Sequence, residues 1–295
     1  HYFYPDGVAA VRLGALLDRP VVITARGTDL NVLPDFPGPR RQIIDAARRA
    51  AGLVTVSAAL RDRLADLGIP ADRVRVLRNG VDMARFHPGD REDRRRRFGL
   101  DGPTVVSVGN LVPLKGHDLV IRALADLPPD TRLLIAGDGP ERAALEGLAG
   151  SLGLAGRVTL MGRVAPADMP ALYGAADVLV LASSREGLPN VLLEALASGT
   201  PVVSTRVGGT PEVVTAPQAG RLVADRTPQA LAAALADVLH APPDRAATRA
   251  FAERFGWAAT TGGQIALFQE ILNGNRAFGD QKGTPQGLET PPKAE

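Results

Sequence analysis

Short runs rich in β-branched residues and leucine recur along this 295-residue chain: "PVVIT" (20–24), "GLVTVS" (52–57), "RVRVL" (73–77), "TVVSVG" (104–109), "RLLIAG" (132–137), "RVTLMG" (157–162), "DVLVLAS" (177–183), "PVVST" (201–205) and "GRLVA" (220–224). Helical patterns alternate with them nearly throughout. Such alternation implies parallel strands covered by helices on both faces, so the chain reads as an α/β protein. The rhythm breaks once, at "MARFHPGDREDRRRRFGLDGP" (83–103), where two prolines, three glycines and a dense charge run mark a boundary between two units.

The unit before the break, residues 1–90, offers three strands, the second followed by a helix that Ser57 is placed to cap. Three parallel strands make a poor sheet, so this unit is expected to lack its first part or to be completed by another chain. Residues 91–103 are the linker, with Arg94 to Arg97 read as a solvated helix face rather than a binding patch. The second unit, residues 104–255, offers six strands with their helices and looks complete. Residues 256–272 carry a last helix, and the polar, Gly- and Pro-rich segment 273–295 reads as a disordered tail.

Composition removes several kinds of chemistry. Without cysteine there is no disulfide, thiolate metal site or cysteine nucleophile, which fits a reducing, cytoplasmic compartment. Four scattered histidines argue against a zinc centre. A net charge of +2 and an aromatic content of 4% leave neither the basic surface nor the stacking platforms of a nucleic-acid binder. No apolar stretch approaches the roughly 20 residues that cross a bilayer.

Three loops at the carboxyl ends of strands carry the polar residues. In "SVGNLVPLKGHD" a glycine ends the strand and Lys115 opens the next helix, either as an anion site or as an ordinary surface lysine. In "AGDGPERAALE" Asp138 reads as a helix cap. The third stretch, "SSREGLPNVLLEALASGTPVV" (183–203), puts Glu186 in a glycine turn and Glu194 about two turns into a helix. Pro189 suits that helix's first position, and Gly199 and Pro201 stop it. A carboxylate among Leu192, Leu193, Ala195 and Leu196 needs a partner or a route to water. Were a diphosphate held at this helix start, one carboxylate could accept from a ribose diol and the other from a sugar hydroxyl.

The pair Glu186 and Glu194, followed by "ALASGTPVVSTRVGGTPEVV", resembles the E-x7-E motif of the family 4 retaining glycosyltransferases, which have the two-domain GT-B fold of two Rossmann-like units facing a cleft. "VSVGNLVPLKGHDLVIRAL" is similar to the phosphate-binding start of that family's carboxyl-terminal domain, "VLRNGVDMARFHP" to its interdomain linker, and "RFGWAATTGGQIALFQEIL" to its last helices, which cross back to the first domain. The chain's opening resembles the middle of the amino-terminal domain, so the first strands and the glycine-rich acceptor loop are expected to be absent. The resemblance implies a nucleotide-sugar donor, with Glu194 on the ribose and Glu186 on the donor sugar. Gly109, Asn110 and Lys115 would meet the diphosphate, backbone N–H groups from Gly187 through Leu188, Pro189, Asn190 and Val191 would assist, and Arg163 and Val164 would lie near the base. Arg26 and Asp29 in "TARGTD" would lie near the reacting sugar. Two residues depart from the family pattern: Asn110 replaces a frequent arginine and Arg26 a frequent histidine.

The expectation is a retaining transferase of polysaccharide or glycolipid biosynthesis that needs no cofactor and, lacking a suitable Asp-x-Asp pair, no metal. A GT-B sugar-nucleotide epimerase and a non-catalytic nucleotide-sugar binder are the alternatives. The acceptor is unidentified and includes a lipid-linked one, since Arg40, Arg41, Arg48 and Arg49 around "QIIDAA" would suit an anionic membrane surface, although an ordinary solvated helix face is the favoured reading of them.

Overall fold

In the computed structural model, which describes residues 1–279, each apolar run becomes a strand. These are β1 (Val22–Ala25), β2 (Gly52–Thr55), β3 (Val74–Val76), β4 (Thr104–Val108), β5 (Arg132–Ala136), β6 (Val158–Gly162), β7 (Val178–Leu181), β8 (Val202–Thr205) and β9 (Gly220–Val223). They form two sheets of wholly parallel pairs, one in the order β1-β2-β3 and one in the order β6-β5-β4-β7-β8-β9. The first sheet is accompanied by α1 (Val8–Leu16), α2 (Thr28–Asn31), α3 (Pro37–Arg49) and α4 (Ala58–Asp66). After α5 (Arg91–Phe98), the second carries α6 (His117–Leu124), α7 (Arg142–Ser151), α8 (Met169–Ala175), α9 (Asn190–Ala197), α10 (Thr210–Val213), α11 (Pro228–His240) and α12 (Arg245–Ala252). Last comes α13 (Trp257–Gly279).

Period-two alternation sorts the core into layers. Val105, Leu133, Ile135, Val178, Val180 and Val203 pack to one side of the larger sheet with residues of α6, α7 and α11. Their sequence neighbours Val106, Leu134, Leu179, Leu181 and Val202 pack to the other side with Leu172 and Tyr173 of α8 and Leu192 and Leu196 of α9. Burying such a side chain stabilises the fold by about 1.5 to 3 kcal/mol, so adjacent residues that each bury into a different layer leave this sheet no solvent face. Local signals agree: Ser57 Oγ accepts from Leu60 N at 3.3 Å to cap α4, and Gly199 follows α9 with φ +75°. Helix α13 returns to the first sheet, where a Cβ on Gly52 would lie 2.9 Å from Ile271 and one on Gly263 would lie 2.5 Å from Leu77.

Two sequence expectations require correction here. Eight of the linker residues form α5, whose arginines are not all solvated. Arg91 and Arg95 reach Asp177 at 2.5 and 3.2 Å, and Asp177 also accepts from Thr104 N at 2.9 Å, so this helix is fastened to the base of β4 and β7. Arg94 donates to the carbonyls of His87 and Pro170. Arg96 and Arg97 are exposed, and Arg97 also meets Asp168 at 2.6 Å. The tail expected from residue 273 is overturned over residues 273–279, where α13 continues to Gly279. "NGNRAFG" contains no proline to stop it. Residues 280–295 of that segment lie outside the described residues.

Asp177→Ala should lower the unfolding free energy by roughly 1.5 to 3 kcal/mol, because two arginines and a backbone amide lose a charged acceptor in a half-buried setting. Urea denaturation checks this, and Asp177→Asn should lose less.

Candidate active site

The order of the larger sheet separates two connections. From β4 the chain leaves toward β5, whereas from β7 it leaves toward β8 on the opposite side. The loops after β4 and β7 therefore part and leave a crevice at their carboxyl ends, the usual ligand position in such sheets. Gly109, Asn110 and Lys115 lie in the first loop and Ser183 to Pro189 in the second.

Across that crevice Lys115 Nζ meets Glu186 Oε1 at 2.6 Å, and Ser183 Oγ donates to the same oxygen at 2.7 Å. The two side chains are mostly buried, 22% and 12% exposed, so solvent screens the pair weakly. Thus two residues 71 positions apart become one unit, with the ammonium anchored beneath the loop of Gly109. The amides of Gly187, Leu188, Asn190 and Val191 make no backbone hydrogen bond among the described residues, as befits the open first turn of α9. They belong to the stretch that directly follows Glu186, the partner of Lys115. Pro189 differs from the expectation: it precedes the helix as its N-cap and, having no N–H, donates nothing. His117, buried under the same loop with Nδ1 3.0 Å from Ser107 Oγ, has its pKa lowered by burial and serves as a neutral prop.

Glu194 lies one layer deeper. Tyr173 of α8 donates its hydroxyl to Glu194 Oε2 at 2.8 Å. Burial pushes the Glu194 carboxyl above its ordinary value, opposed by the Tyr173 hydrogen bond and by the charge of Arg85. Burial and the neighbouring carboxylate in turn raise the Tyr173 phenol well above 10, so it stays a donor. Residues Gly109, Asn110, Asp138, Arg163 and Val164 line a cavity of about 550 Å³ beside this crevice. Arg163 is 88% exposed and 3.8 Å from Asp138. Asp138 does not cap α7: it accepts from Gly139 N at 2.9 Å, before the helix has begun.

The first sheet closes the crevice from above. Arg26, after β1, donates to Asn79 Oδ1 at 2.8 Å, and Asn79 donates to Asn190 Oδ1 at 2.9 Å, a polar chain that ends at the start of α9. Gly27 and Gly187 touch: a Cβ on Gly187 would lie 2.0 Å from the Arg26 carbonyl oxygen, which no side chain allows. Asn31 donates to the Glu186 carbonyl at 3.1 Å. Asp29, expected near the reacting sugar, is instead fully buried, with its oxygens taken by the amides of Phe3, Arg26 and Gly27 at 3.0, 3.1 and 2.8 Å. It shapes the loop that carries Arg26.

The structure thus gathers Lys115, Glu186, Gly187, Leu188, Asn190, Val191 and Arg26 into one crevice, with Asn110, Arg163 and Val164 at one end, and leaves Asp29 and Pro189 as scaffold. Tyr173, Ser183 and Asn79 are contributors that the sequence did not single out. Ser183 stood three residues before Glu186 and Asn79 inside "VLRNGVDMARFHP", whereas Tyr173 stood in no quoted motif.

Comparison with known proteins follows the same division. The family described as glycosyl transferases group 1 matches residues 90–255, and Glycosyltransferase Family 4 matches residues 1–85. A D-inositol 3-phosphate glycosyltransferase of Acidothermus cellulolyticus is 36% identical over 84% of this chain and 60% of its own length. A GDP-mannose-dependent alpha-(1-6)-phosphatidylinositol monomannoside mannosyltransferase of Mycolicibacterium smegmatis is 39% identical over 92% of this chain and 73% of its own. The chain therefore spans 60% of the first relative's length and 73% of the second's. Among solved structures, Anabaena HepE in complex with UDP and glucose superposes with a TM-score of 0.80 at 26% identity, over 90% of this chain and 75% of HepE. Sucrose-phosphate synthase from Thermosynechococcus elongatus shares the fold with a TM-score of 0.83 over 92% of this chain and 73% of its own, at 24% identity.

Asp29→Ala should destabilise the chain by about 1 to 3 kcal/mol for each buried amide left without an acceptor, and Asp29→Asn by less, as measured by chemical denaturation.

Proposed function

Because this chain belongs to the glycosyl transferases group 1 family, with a Family 4 match before it, we propose that it takes part in retaining glycosyl transfer from a nucleoside-diphosphate sugar. The observation that carries this reading is the convergence of Lys115, Glu186 and the unpaired amides of α9 at the split between β4 and β7. An ammonium beside a fan of N–H groups at a helix start is complementary to a diphosphate, and most so when that diphosphate gains charge as it leaves. In the bound state Lys115 turns from the Glu186 carboxylate toward phosphate, and Glu186 is freed to accept from hydroxyls of the donor sugar. Glu194 accepts from the ribose diol while Tyr173 orients it, and the cavity beside Arg163 and Val164 takes the base. Arg26 adds a cation from the opposite wall. No enzyme nucleophile is required if the acceptor hydroxyl attacks from the face the diphosphate leaves and passes its proton to that diphosphate. Carbon then exchanges one C–O bond for another.

For the acceptor, the two relatives point to a molecule bearing inositol phosphate, free or lipid-linked. Helix α3 turns Ile43, Ala46 and Ala47 inward and leaves Arg40, Arg41 and Arg48 at the surface, and the neighbouring α1 exposes Leu13, Leu16 and Leu17. Cations beside exposed leucines suit peripheral contact with an anionic bilayer. Among the described residues no helix is long and apolar enough to cross one.

A nucleotide panel tested by thermal shift examines the central claim. At 100 times its dissociation constant, the right nucleoside diphosphate adds about 2.7 kcal/mol of stability, several degrees in Tm for a chain of this size. No shift with UDP, GDP or ADP, at millimolar concentration, sinks the reading. Transfer is then assayed from the matching nucleotide sugar onto inositol 3-phosphate and onto phosphatidylinositol vesicles, with and without a chelator, and chelation should leave it largely intact.

Lys115→Ala should weaken nucleoside diphosphate binding roughly tenfold or more while changing nucleoside binding less than about twofold, since its partner is phosphate. Glu194 yields a prediction with a definite sign. Ribose binding uses the ionised carboxylate, so affinity should fall as pH drops through a Glu194 pKa that burial has raised above the ordinary carboxylate range. Tyr173→Phe removes a hydrogen bond that favours the ionised form and should move this loss to still higher pH. Glu194→Gln should flatten the pH dependence, and calorimetric titrations of the three proteins from the ordinary carboxylate range up to neutral pH decide the matter.

A further inference from the structure

One side chain ties the two sheets together by charge. Glu212 stands at the start of α10, in the loop that follows β8, with its side chain 15% exposed. Its Oε1 accepts from Ala58 N at 2.7 Å and Ala59 N at 3.3 Å, the first turn of α4 in the other unit. Its Oε2 accepts from Arg78 Nε at 2.8 Å, with Arg78 Nη2 at 2.6 Å. Among the described residues this is the only ion pair between residues 1–81 and residues 104–255.

The loop that carries Glu212 is itself clamped. Gly209 N donates to the Gly187 carbonyl at 2.9 Å. A Cβ on Gly208, whose φ is +50°, would lie 2.0 Å from the Glu186 carbonyl oxygen, and one on Gly209 would lie 2.9 Å from Ser57 Cβ. The diglycine therefore runs between the Glu186–Gly187 turn on one side and the cap of α4 on the other, with no room for a side chain. Glu212 thus stands where the loop beside Glu186 meets the first turn of α4.

Energetics allow this contact to open. A carboxylate at a helix start is favoured by unpaired amides and by the helix dipole, and the arginine fork adds charge. Yet each of these groups is well solvated when the units separate, so the net gain is small beside the gross attraction. Such a contact biases an equilibrium between open and closed forms rather than locking it.

We propose that Glu212 is the positioning residue for closure of the cleft: by docking on the α4 N-terminus and Arg78 it holds the first sheet against the Glu186–Gly187 turn, without touching the donor. The purpose of closure rests on the glycosyl-transfer reading, whereas the latch itself is a matter of distances and is tested as such. The chain lacks cysteine, so Arg48→Cys and Asp237→Cys, exposed on opposite units, accept a pair of spin labels. Pulsed dipolar spectroscopy should find one dominant short distance in the labelled parent, sharpened by UDP or GDP. Glu212→Ala should send roughly half or more of the molecules to longer distances, while the dissociation constant of whichever nucleotide binds changes less than about threefold. Glu212→Gln keeps an oxygen for the amides but no charge for Arg78 and should give an intermediate population, as should Arg78→Met.

A residue of merely structural importance would lower the melting temperature and nucleotide affinity together and leave the distances of the folded protein unchanged. Unchanged distances in both Glu212 variants overturn the latch whether or not the protein transfers sugar. Failure of UDP, GDP and ADP all to bind the parent, with distances that still shift in the variants, overturns the glycosyl-transfer reading and upholds the latch.

Discussion

Parallel pairing is the constraint on which the rest of this structure depends. A strand with a parallel neighbour must be followed by a crossover, so every strand in a sheet delivers its carboxyl end, and the loop that follows, to the same edge. Here two such edges face each other. Gly27 after β1 meets Gly187 after β7, and Ser57 beyond β2 meets Gly209 after β8. Loops are the only backbone free to carry polar groups, because both faces of the larger sheet are covered by helices. The crevice is therefore a consequence of burying nonpolar surface twice over.

Around that crevice the carboxylates do four different things according to their surroundings. Asp29 is fully buried and holds three amides, so it organises a loop. Glu186 sits opposite an ammonium and a hydroxyl that each can find another partner, so it is available to exchange them. Glu194 is raised in pKa by burial and kept oriented by one phenol, which ties its charge to pH. Glu212 bridges two units and so senses their separation. Coulomb attraction is common to all four. Burial and the mobility of the partner decide whether it yields structure, binding or motion.

Much of this was legible beforehand. The nine strands could be read because period-two burial writes itself as runs of apolar residues, and the loops that hold Lys115 and Glu186 because glycine turns and helix starts have their own residue signatures. Tyr173 was not legible: inside "MPALYGAADV" a tyrosine looks like any core aromatic, and nothing local says that its hydroxyl finds a carboxylate 21 residues further on. Asp29 was misread for a related reason, since a motif names a position without saying whether its oxygens are already occupied. The arginines of α5 looked like a solvated face because the acceptor that holds Arg91 and Arg95, Asp177, lies over 80 positions away.

The sequence by itself determined the α/β class, the strands and the loops in which chemistry could reside, because each depends on residues within a few positions of one another. Only the tertiary structure decided which of the polar residues in those loops are free and which are spent. Whether Lys115 meets Glu186, Tyr173 meets Glu194 or Glu212 meets Arg78 depends on strand order and on how two sheets face, and these are set by the packing of whole layers. Hydrophobic burial is spread over many residues and leaves a periodic trace along the chain. A hydrogen bond between two distant side chains is a single directional contact, good over a few tenths of an ångström, and it leaves none.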